Sequence, residues 1–323
     1  MIRTAECVSP MHPDKLCDRI SDAIVDAALK EDPKSRAAVE VMGGHGIVTI
    51  TGEMTTRTYV NVRDIVNRIV IQKYGVQANI VRQSPEISRG VDIGGAGDQG
   101  IMVGYACAEN EALIPHELYL ARSLCRYLYH EYPYDGKTQI TLNDEGMITA
   151  VVASFQNSEQ EILSDLTKEW ARLNQLELPH KSQFFNPAGD WEVGGFEADT
   201  GLTGRKLIVD NYGPRIPIGG GAYSGKDATK VDRSAAYMAR KVAVDLLQQK
   251  GAREVLVYLA YAIGVVEPVM AVAKIDGKDE QVTGYDLTPN GIIEFLGLDK
   301  PIFEKTAEWG HYGNNFPWEN QKL

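Results

Sequence analysis

An α+β fold built from three similar units is what the 323-residue sequence predicts. Three observations lead there. The chain is too long for one ordinary core and should divide into two or three domains. One order of elements, an apolar hairpin followed by an amphipathic helix, recurs three times. Two long helical patterns add apolar stripes able to cover one face of a sheet.

Taken in order, Pro13 to Lys30 reads as a helix, with Leu16, Ile20, Ala23, Ile24 and Ala27 on one stripe and a proline in the favoured first turn. Ile47 to Met54 alternates as a strand, and Val62, Ile65, Val66, Ile69 and Val70 then repeat at helical spacing. Thr138 to Leu142 and Met147 to Phe155 flank Asn143-Asp144-Glu145-Gly146, a hairpin signal. Ser158 with Glu161 forms a capping box ahead of Ile162, Leu163, Leu166, Trp170 and Leu173. Arg233 to Lys250 is a second long helix through Ala236, Ala239, Val242 and Leu246. Glu254 to Ile263 and Val269 to Ile275 read as strands, followed by a short helix after Thr288. The expected domains are 1–93, 94–187 and 188–323, and glycines gather at Gly43 to Gly46, Gly94 to Gly100 and Gly219 to Gly225.

Composition narrows the function classes. With 44% hydrophobic and 24% charged residues the chain has the make-up of a water-soluble globular protein. No apolar run is long enough to cross a bilayer, and Met1 to Val8 lacks the layout of a secretory signal, which points to the cytoplasm. A formal net charge of -11 argues against nucleic acid or an anionic membrane as partner, so any anionic ligand needs a local cluster of cations. Cys7, Cys17, Cys107 and Cys125 are scattered without zinc-ligand spacing and read as buried or idle thiols.

Several stretches carry chemistry. Ser9-Pro10-Met11-His12-Pro13-Asp14-Lys15 opens a helix, where amide N–H groups and the dipole favour an anion such as a phosphate, although such a start is also an ordinary cap. Gly220 to Asp227 meets the GxxxxGK spacing, but Asp227 replaces the required Ser or Thr, and Asn211 to Ile218, with two prolines, is no buried parallel strand. A glycine loop delivering Lys226 to phosphate is the simpler reading. Gly95-Ala96-Gly97-Asp98-Gln99-Gly100 fits GxGxxG, yet the strand-like Ile101 to Cys107 follows where a helix belongs. From residue 205 to 233 there are six Lys or Arg against three Asp, a local excess of +3 suited to a triphosphate or to a self-paired surface.

HPDK at His12, GAGDQG at Gly95, GLTGRK at Gly201 and GGGAYSGKDATKVDRSAAY from Gly219 to Tyr237 together resemble the signature segments of methionine adenosyltransferases, and the likeness runs from Glu6 to Phe316-Pro317-Trp318-Glu319. The resemblance implies three α+β domains related by pseudo-threefold symmetry, each a mixed or antiparallel sheet with helices on one face and with strands open to exchange between domains. It also implies magnesium, two ions per active site, potassium, and a homodimer, with a tetramer also open, whose active sites lie at the interface. Carried over by position, His12 contacts the triphosphate as sulfur attacks, and Asp14 and Asp232 bind magnesium. Lys137, Arg205, Lys206, Lys226 and Lys230 hold phosphate, with Lys230 also near methionine. Glu53, Gln83 and Asp199 match methionine contacts, Glu40 the potassium ligand, and Asp98 a ribose or adenosine contact. Asp135, Asp190, Trp191, Asp199 and Ala222 complete the ATP set.

These residue types suit the implied reaction, in which ATP and methionine give S-adenosylmethionine, pyrophosphate and phosphate. A thioether sulfur carries no proton, so alignment and stabilisation of the leaving triphosphate replace general-base chemistry. The sequence departs from the family at Pro10-Met11, where an acidic residue and a glycine are usual, and at Trp191, where phenylalanine is common. The link from Asp92 to Gly95, after an expected gating loop from Gln83 to Asp92, and the segment from Asn157 to Phe185 are short. Two other readings compete: a P-loop-type kinase or ATPase using Lys226, which would release ADP, and a non-catalytic nucleotide-binding subunit, against which intact His12, Asp14, Lys137 and Asp232 speak.

Overall fold

A computed structural model of the chain describes residues 3–70, 73–84 and 94–319. In chain order its strands are β1 (Arg3–Val8), β2 (Arg36–Gly44), β3 (Ile47–Thr55), β4 (Gly75–Val81), β5 (Gly100–Cys107), β6 (Gly136–Leu142), β7 (Ile148–Phe155), β8 (Gln183–Phe185), β9 (Gly201–Leu202), β10 (Glu254–Tyr261), β11 (Met270–Ile275) and β12 (Lys278–Gln281). The helices are α1 (Pro13–Glu31), α2 (Val62–Ile69), α3 (His116–Glu131), α4 (Gln160–Leu173), α5 (Leu207–Asp210), α6 (Val231–Lys250), α7 (Pro289–Leu296) and α8 (Thr306–Trp309).

Among the described residues the strands make three four-stranded sheets, in the orders β4-β3-β2-β9, β1-β6-β7-β8 and β12-β11-β10-β5. Each sheet is founded on a sequential antiparallel hairpin, β2-β3, β6-β7 or β10-β11. Each is completed by a strand from far away in the chain. β1 lies antiparallel to β6, with Val8 opposite Lys137; β5 lies against β10; β9 lies against β2, with Leu202 opposite Met42. The opening strand of every unit is thus given to another unit in cyclic order. In the first two sheets the strand after the short helix, β4 or β8, returns parallel to its neighbour.

The helices repeat with the same rhythm. α1 packs on β2 and β9, α3 on β1 and β6, and α6 on β5 and β10, while α2, α4 and α7 each lean on the long helix of their unit. Local sequence explains the boundaries. Pro13 stands at the start of α1, and the left-handed Gly251 and Gly297 end α6 and α7. Gly104 lets β5 touch the α6 backbone, since a Cβ there would sit 2.0 Å from the carbonyl carbon of Ala239. One core joins the first and third units, and a smaller one around Phe155, Leu163 and Trp170 serves the second.

Two sequence expectations change. α1 and α6 are buried on nearly all sides, so Asp14, Lys15, Asp18 and Asp22 lie in the interior beside the apolar stripe. The capping box at Ser158 does not form: Glu159 is the N-cap of α4 without a side-chain bond, and the Ser158 hydroxyl donates to the Phe155 carbonyl. All four cysteines are free and buried.

Candidate active site

The first group of functional side chains gathers where β1 ends and α1 begins. His12 is the N-cap of α1, and its Nδ1 accepts the amide of Asp14 at 3.1 Å. With Nδ1 an acceptor, the neutral ring carries its proton on Nε2. Burial, followed by the charges of Lys206 and Lys137, pushes the His12 pKa down to about 3, so the ring is a neutral donor at physiological pH. Lys137 stands opposite Val8 on β6, on the exposed side of the sheet. Two residues earlier, Asp135 is buried; its Oδ2 accepts the amide of Gly195 at 2.9 Å, while Oδ1 has no partner. Burial raises its pKa, against the pull of that amide and of Lys137.

Asp14 is the hub of this group. Its carboxylate accepts the Leu202 amide at 2.9 Å and Lys206 Nζ at 2.5 Å, with Arg205 Nε at 3.5 Å. Burial alone would raise its pKa, but Lys206 and the Leu202 amide hold it below the usual carboxylate range. Asp199 carries an electrostatic influence onto Asp135 and accepts the Thr200 amide. Asp190 and Trp191 are drawn toward the same corner by Asn186, which donates to Asp190 and accepts the Trp191 indole N–H at 3.2 Å.

A second group lines an open cleft of about 870 Å³ that includes Glu40, Asp98, Gly221, Ala222, Lys226 and Asp232. Lys226 Nζ meets Asp232 Oδ2 at 2.7 Å, and Gly221 leaves room for that carboxylate, since a Cβ there would lie 2.2 Å from the Asp232 carboxyl carbon and displace the side chain. Burial raises the Glu40 pKa, countered by Lys226. Lys230, the N-cap residue of α6, is tied to Asp227. Glu53 and Gln83 lie at the end of the first sheet, Glu53 opposite Ala38, which bridges to Lys226. Glu53 is exposed, and Gln83 holds the Thr55 hydroxyl through its amide while its Oε1 is buried without a partner. Most of the expected gating loop from Gln83 to Asp92, residues 85–92, lies outside the described residues.

The local cation excess is more neutral in space than in sequence. Arg205 and Lys206 pair with Asp14, Lys226 with Asp232, and Lys230 with Asp227. Arg215 pairs with Glu109 and Glu117, and Arg233 forms a fully buried pair with Asp22, so these two arginines serve the framework. Lys15, in the HPDK stretch, likewise turns inward to Asp210 at 2.5 Å. Sequence reasoning missed Asp18, Asp22 and Asp210; the i, i+4 spacing of Asp14, Asp18 and Asp22 along α1 was the available signal.

Among the described residues no three His, Cys, Asp or Glu side chains converge as a metal cage. Asp14 and Asp232 instead offer single hard-oxygen donors beside cations, a donor set that fits magnesium carried in on phosphate with most of its shell supplied by ligand and water. Glu40, an oxygen donor at the cleft edge, fits a potassium ion in the same manner.

Comparison with known proteins identifies the family. The N-terminal, central and C-terminal domain models of S-adenosylmethionine synthetase match residues 1–87, 93–191 and 193–320. The chain belongs to the S-adenosylmethionine synthetase family. It is 40% identical to the S-adenosylmethionine synthase of Helicobacter hepaticus over 98% of this chain and 94% of that protein. With the synthase of Thermus thermophilus it shares 40% identity over 98% and 95%, and with that of Petrotoga mobilis 39% over 99% and 96%. S-adenosylmethionine synthetase membership puts the chain among transferases of S-adenosylmethionine biosynthesis. No helix among the described residues is long and apolar enough to cross a membrane.

Proposed function

We propose that the protein is a methionine adenosyltransferase that also hydrolyses the triphosphate it releases. The observation that carries this reading is a neutral His12 donor held among Lys137 and Lys206 at the start of α1, beside Asp14. The methionine sulfur lone pair bonds to C5′ of ATP as the C5′–oxygen bond breaks; the triphosphate leaves with that electron pair, and a sulfonium remains. His12 offers Nε2–H to a phosphate oxygen. Lys137, Arg205, Lys206, Lys226 and Lys230 take up the charge that grows on the leaving group. Water then attacks phosphorus, and a P–O–P bond breaks to give pyrophosphate and phosphate. Asp14 and Asp232 would hold two magnesium ions and Glu40 potassium, which offset phosphate charge when bound. Asp98 and Trp191 contact the nucleoside end, and Asp135, Asp190, Asp199 and Ala222 complete the ATP contacts; Glu53, Gln83, Asp199 and Lys230 contact methionine.

The working unit in this reading is a homodimer, with tetramers an open extension. Each of the domains 1–93, 94–187 and 188–323 lends residues to a site shared between subunits, the α1 group from one and the Glu40–Asp98–Lys226–Asp232 group from its partner. Exposed Met42, Ile101, Leu202 and Met270 on the outer sides of the sheets support such an interface. Four unbridged buried thiols accord with a cytoplasmic setting. The test is to incubate the protein with ATP, methionine, magnesium and potassium and to weigh every product. S-adenosylmethionine, pyrophosphate and phosphate are expected, and ADP would overturn the reading in favour of a kinase or ATPase.

A further inference from the structure

One edge of α1 carries an aspartate on each of four successive turns, Asp14, Asp18, Asp22 and Asp26, and every one accepts backbone N–H groups from the third unit. Asp14 takes Leu202, Asp18 takes Gly204 at 2.8 Å, Asp22 takes Gly225 at 2.8 Å, and Asp26 takes Phe303 at 3.0 Å and Glu304 at 2.9 Å. Asp14 also meets two cations of the site; among the described residues the other three form no hydrogen bond or ion pair with its phosphate-facing side chains. Asp18 is buried at 2% exposure, and its target, Gly204, immediately precedes Arg205 and Lys206. Gly204 is left-handed, with φ +79°, and a Cβ there would press on Ala222 of the neighbouring glycine loop at 2.7 Å. Beyond Lys206 the segment is held again, because Lys15 Nζ grips both carboxylate oxygens of Asp210 at 2.5–2.6 Å.

We infer that Asp18 is a positioning residue that fixes the Gly204 backbone so that Arg205 and Lys206 are aimed at the triphosphate; this rests on the adenosyltransferase reading above. Arg205 and Lys206 are long, rotamer-rich side chains, and Arg205 is half exposed, so beside their pairing with Asp14 the placement of their backbone sets where the charges start. The bonded Gly204 amide before that dipeptide and the gripped Asp210 carboxylate after it remove the slack, and a displacement of about 1 Å in a charge-stabilising group costs on the order of a hundredfold in rate. Asp26 serves as an internal control. It occupies the same helix edge and accepts two amides, but from a segment that carries no residue of the site.

The experiment compares steady-state kinetics of wild type, Asp18→Leu, Asp18→Asn and Asp26→Ala, with thermal melts alongside. Leucine keeps the volume and deletes the acceptor. Asparagine keeps an accepting oxygen, and because burial pushes the Asp18 pKa up to about 8, it also resembles the carboxyl's neutral form. Expected are a rise of about tenfold or more in the ATP KM of Asp18→Leu with methionine KM within about twofold, recovery to within about threefold in Asp18→Asn, and near-wild-type ATP KM in Asp26→Ala. Asp18→Ala takes the place of leucine if the melts show that leucine is not accommodated. An unchanged ATP KM without the acceptor, an asparagine variant as impaired as leucine, or an equal ATP effect in Asp26→Ala overturns the assignment. Absence of S-adenosylmethionine from the wild-type reaction would instead strike the underlying reading, so the two failures are distinguishable.

Discussion

A histidine in an active site invites the role of proton carrier, and the surroundings of His12 argue for a different one. Its pKa of about 3 leaves it neutral across the working range, with Nδ1 already committed to Asp14. Nitrogen NMR should therefore find the Nε2-protonated ring unchanged from pH 8 to pH 5, and His12→Ala should lower kcat by about a hundredfold, the usual loss for one donor to developing charge. The sign of the stability effect follows from linkage. In the unfolded chain the ring binds a proton near its ordinary 6.5, so the folded state holds fewer protons between there and about 3. Wild type should lose stability relative to His12→Ala as pH falls through that window, which denaturation at pH 7 and pH 4 would measure. Behind the site, Arg233 and Asp22 form a pair with neither side chain exposed. Asp22→Ala leaves a buried cation unpaired and should cost about 3–5 kcal/mol, read as a shift in the urea midpoint. Single residues were the least legible part of the sequence. His12, Asp14 and Lys206 could be singled out from motifs, but the +3 excess from 205 to 233 concealed that Arg215 and Arg233 are spoken for by distant carboxylates. Pairing at sequence separations of 98 and 211 leaves no local pattern.

Elements were far easier to read, because their periodicity is local. Strand β3, the hairpins β6-β7 and β10-β11 and the long helices α1 and α6 stand where alternation and 3.6-residue spacing put them, whereas β2 and the third long helix, α3, went unread and the Ser158 capping box failed because the hydroxyl found a nearer carbonyl. Glycine-rich loops show how a motif can be right in spacing and wrong in purpose. Gly225, the glycine of the GxxxxGK match, is left-handed at φ +84°, its amide goes to Asp22, and a Cβ would come within 1.9 Å of the Val39 carbonyl oxygen. It is there so that the loop can lie along β2, where Lys226 bridges to Ala38. Gly225→Ala should destabilise the protein by about 1–3 kcal/mol and lower its melting temperature, through backbone strain and overpacking. A variant as stable as wild type would show that the loop tolerates a side chain at this point.

At the scale of the molecule, the functional residues fall into two groups, one at the start of α1 and one around the Lys226–Asp232 pair. If each active site draws one group from each subunit, His12→Ala and Asp232→Ala are separately inactive but complementary. Co-refolding them in equal amounts should restore about one quarter of wild-type activity, since half of the random dimers are mixed and each mixed dimer has one intact site. No recovery on mixing would place both groups in the same subunit's site. The sequence hinted at recurrence but could not reveal which strands pair, because the register of β1 on β6 or β9 on β2 is decided by edges more than a hundred residues apart.

That cyclic lending of strands bears on how the chain is made. While it emerges from the ribosome, the hairpin β2-β3 offers an open hydrogen-bonding edge that nothing can close until residues 201–202 have been synthesised, and β5 waits for β10 in the same way. No third of the protein could then be expressed as a finished module, and the nascent chain must cross a long interval in which its sheet edges are open to wrong partners, so slow folding is built into the topology.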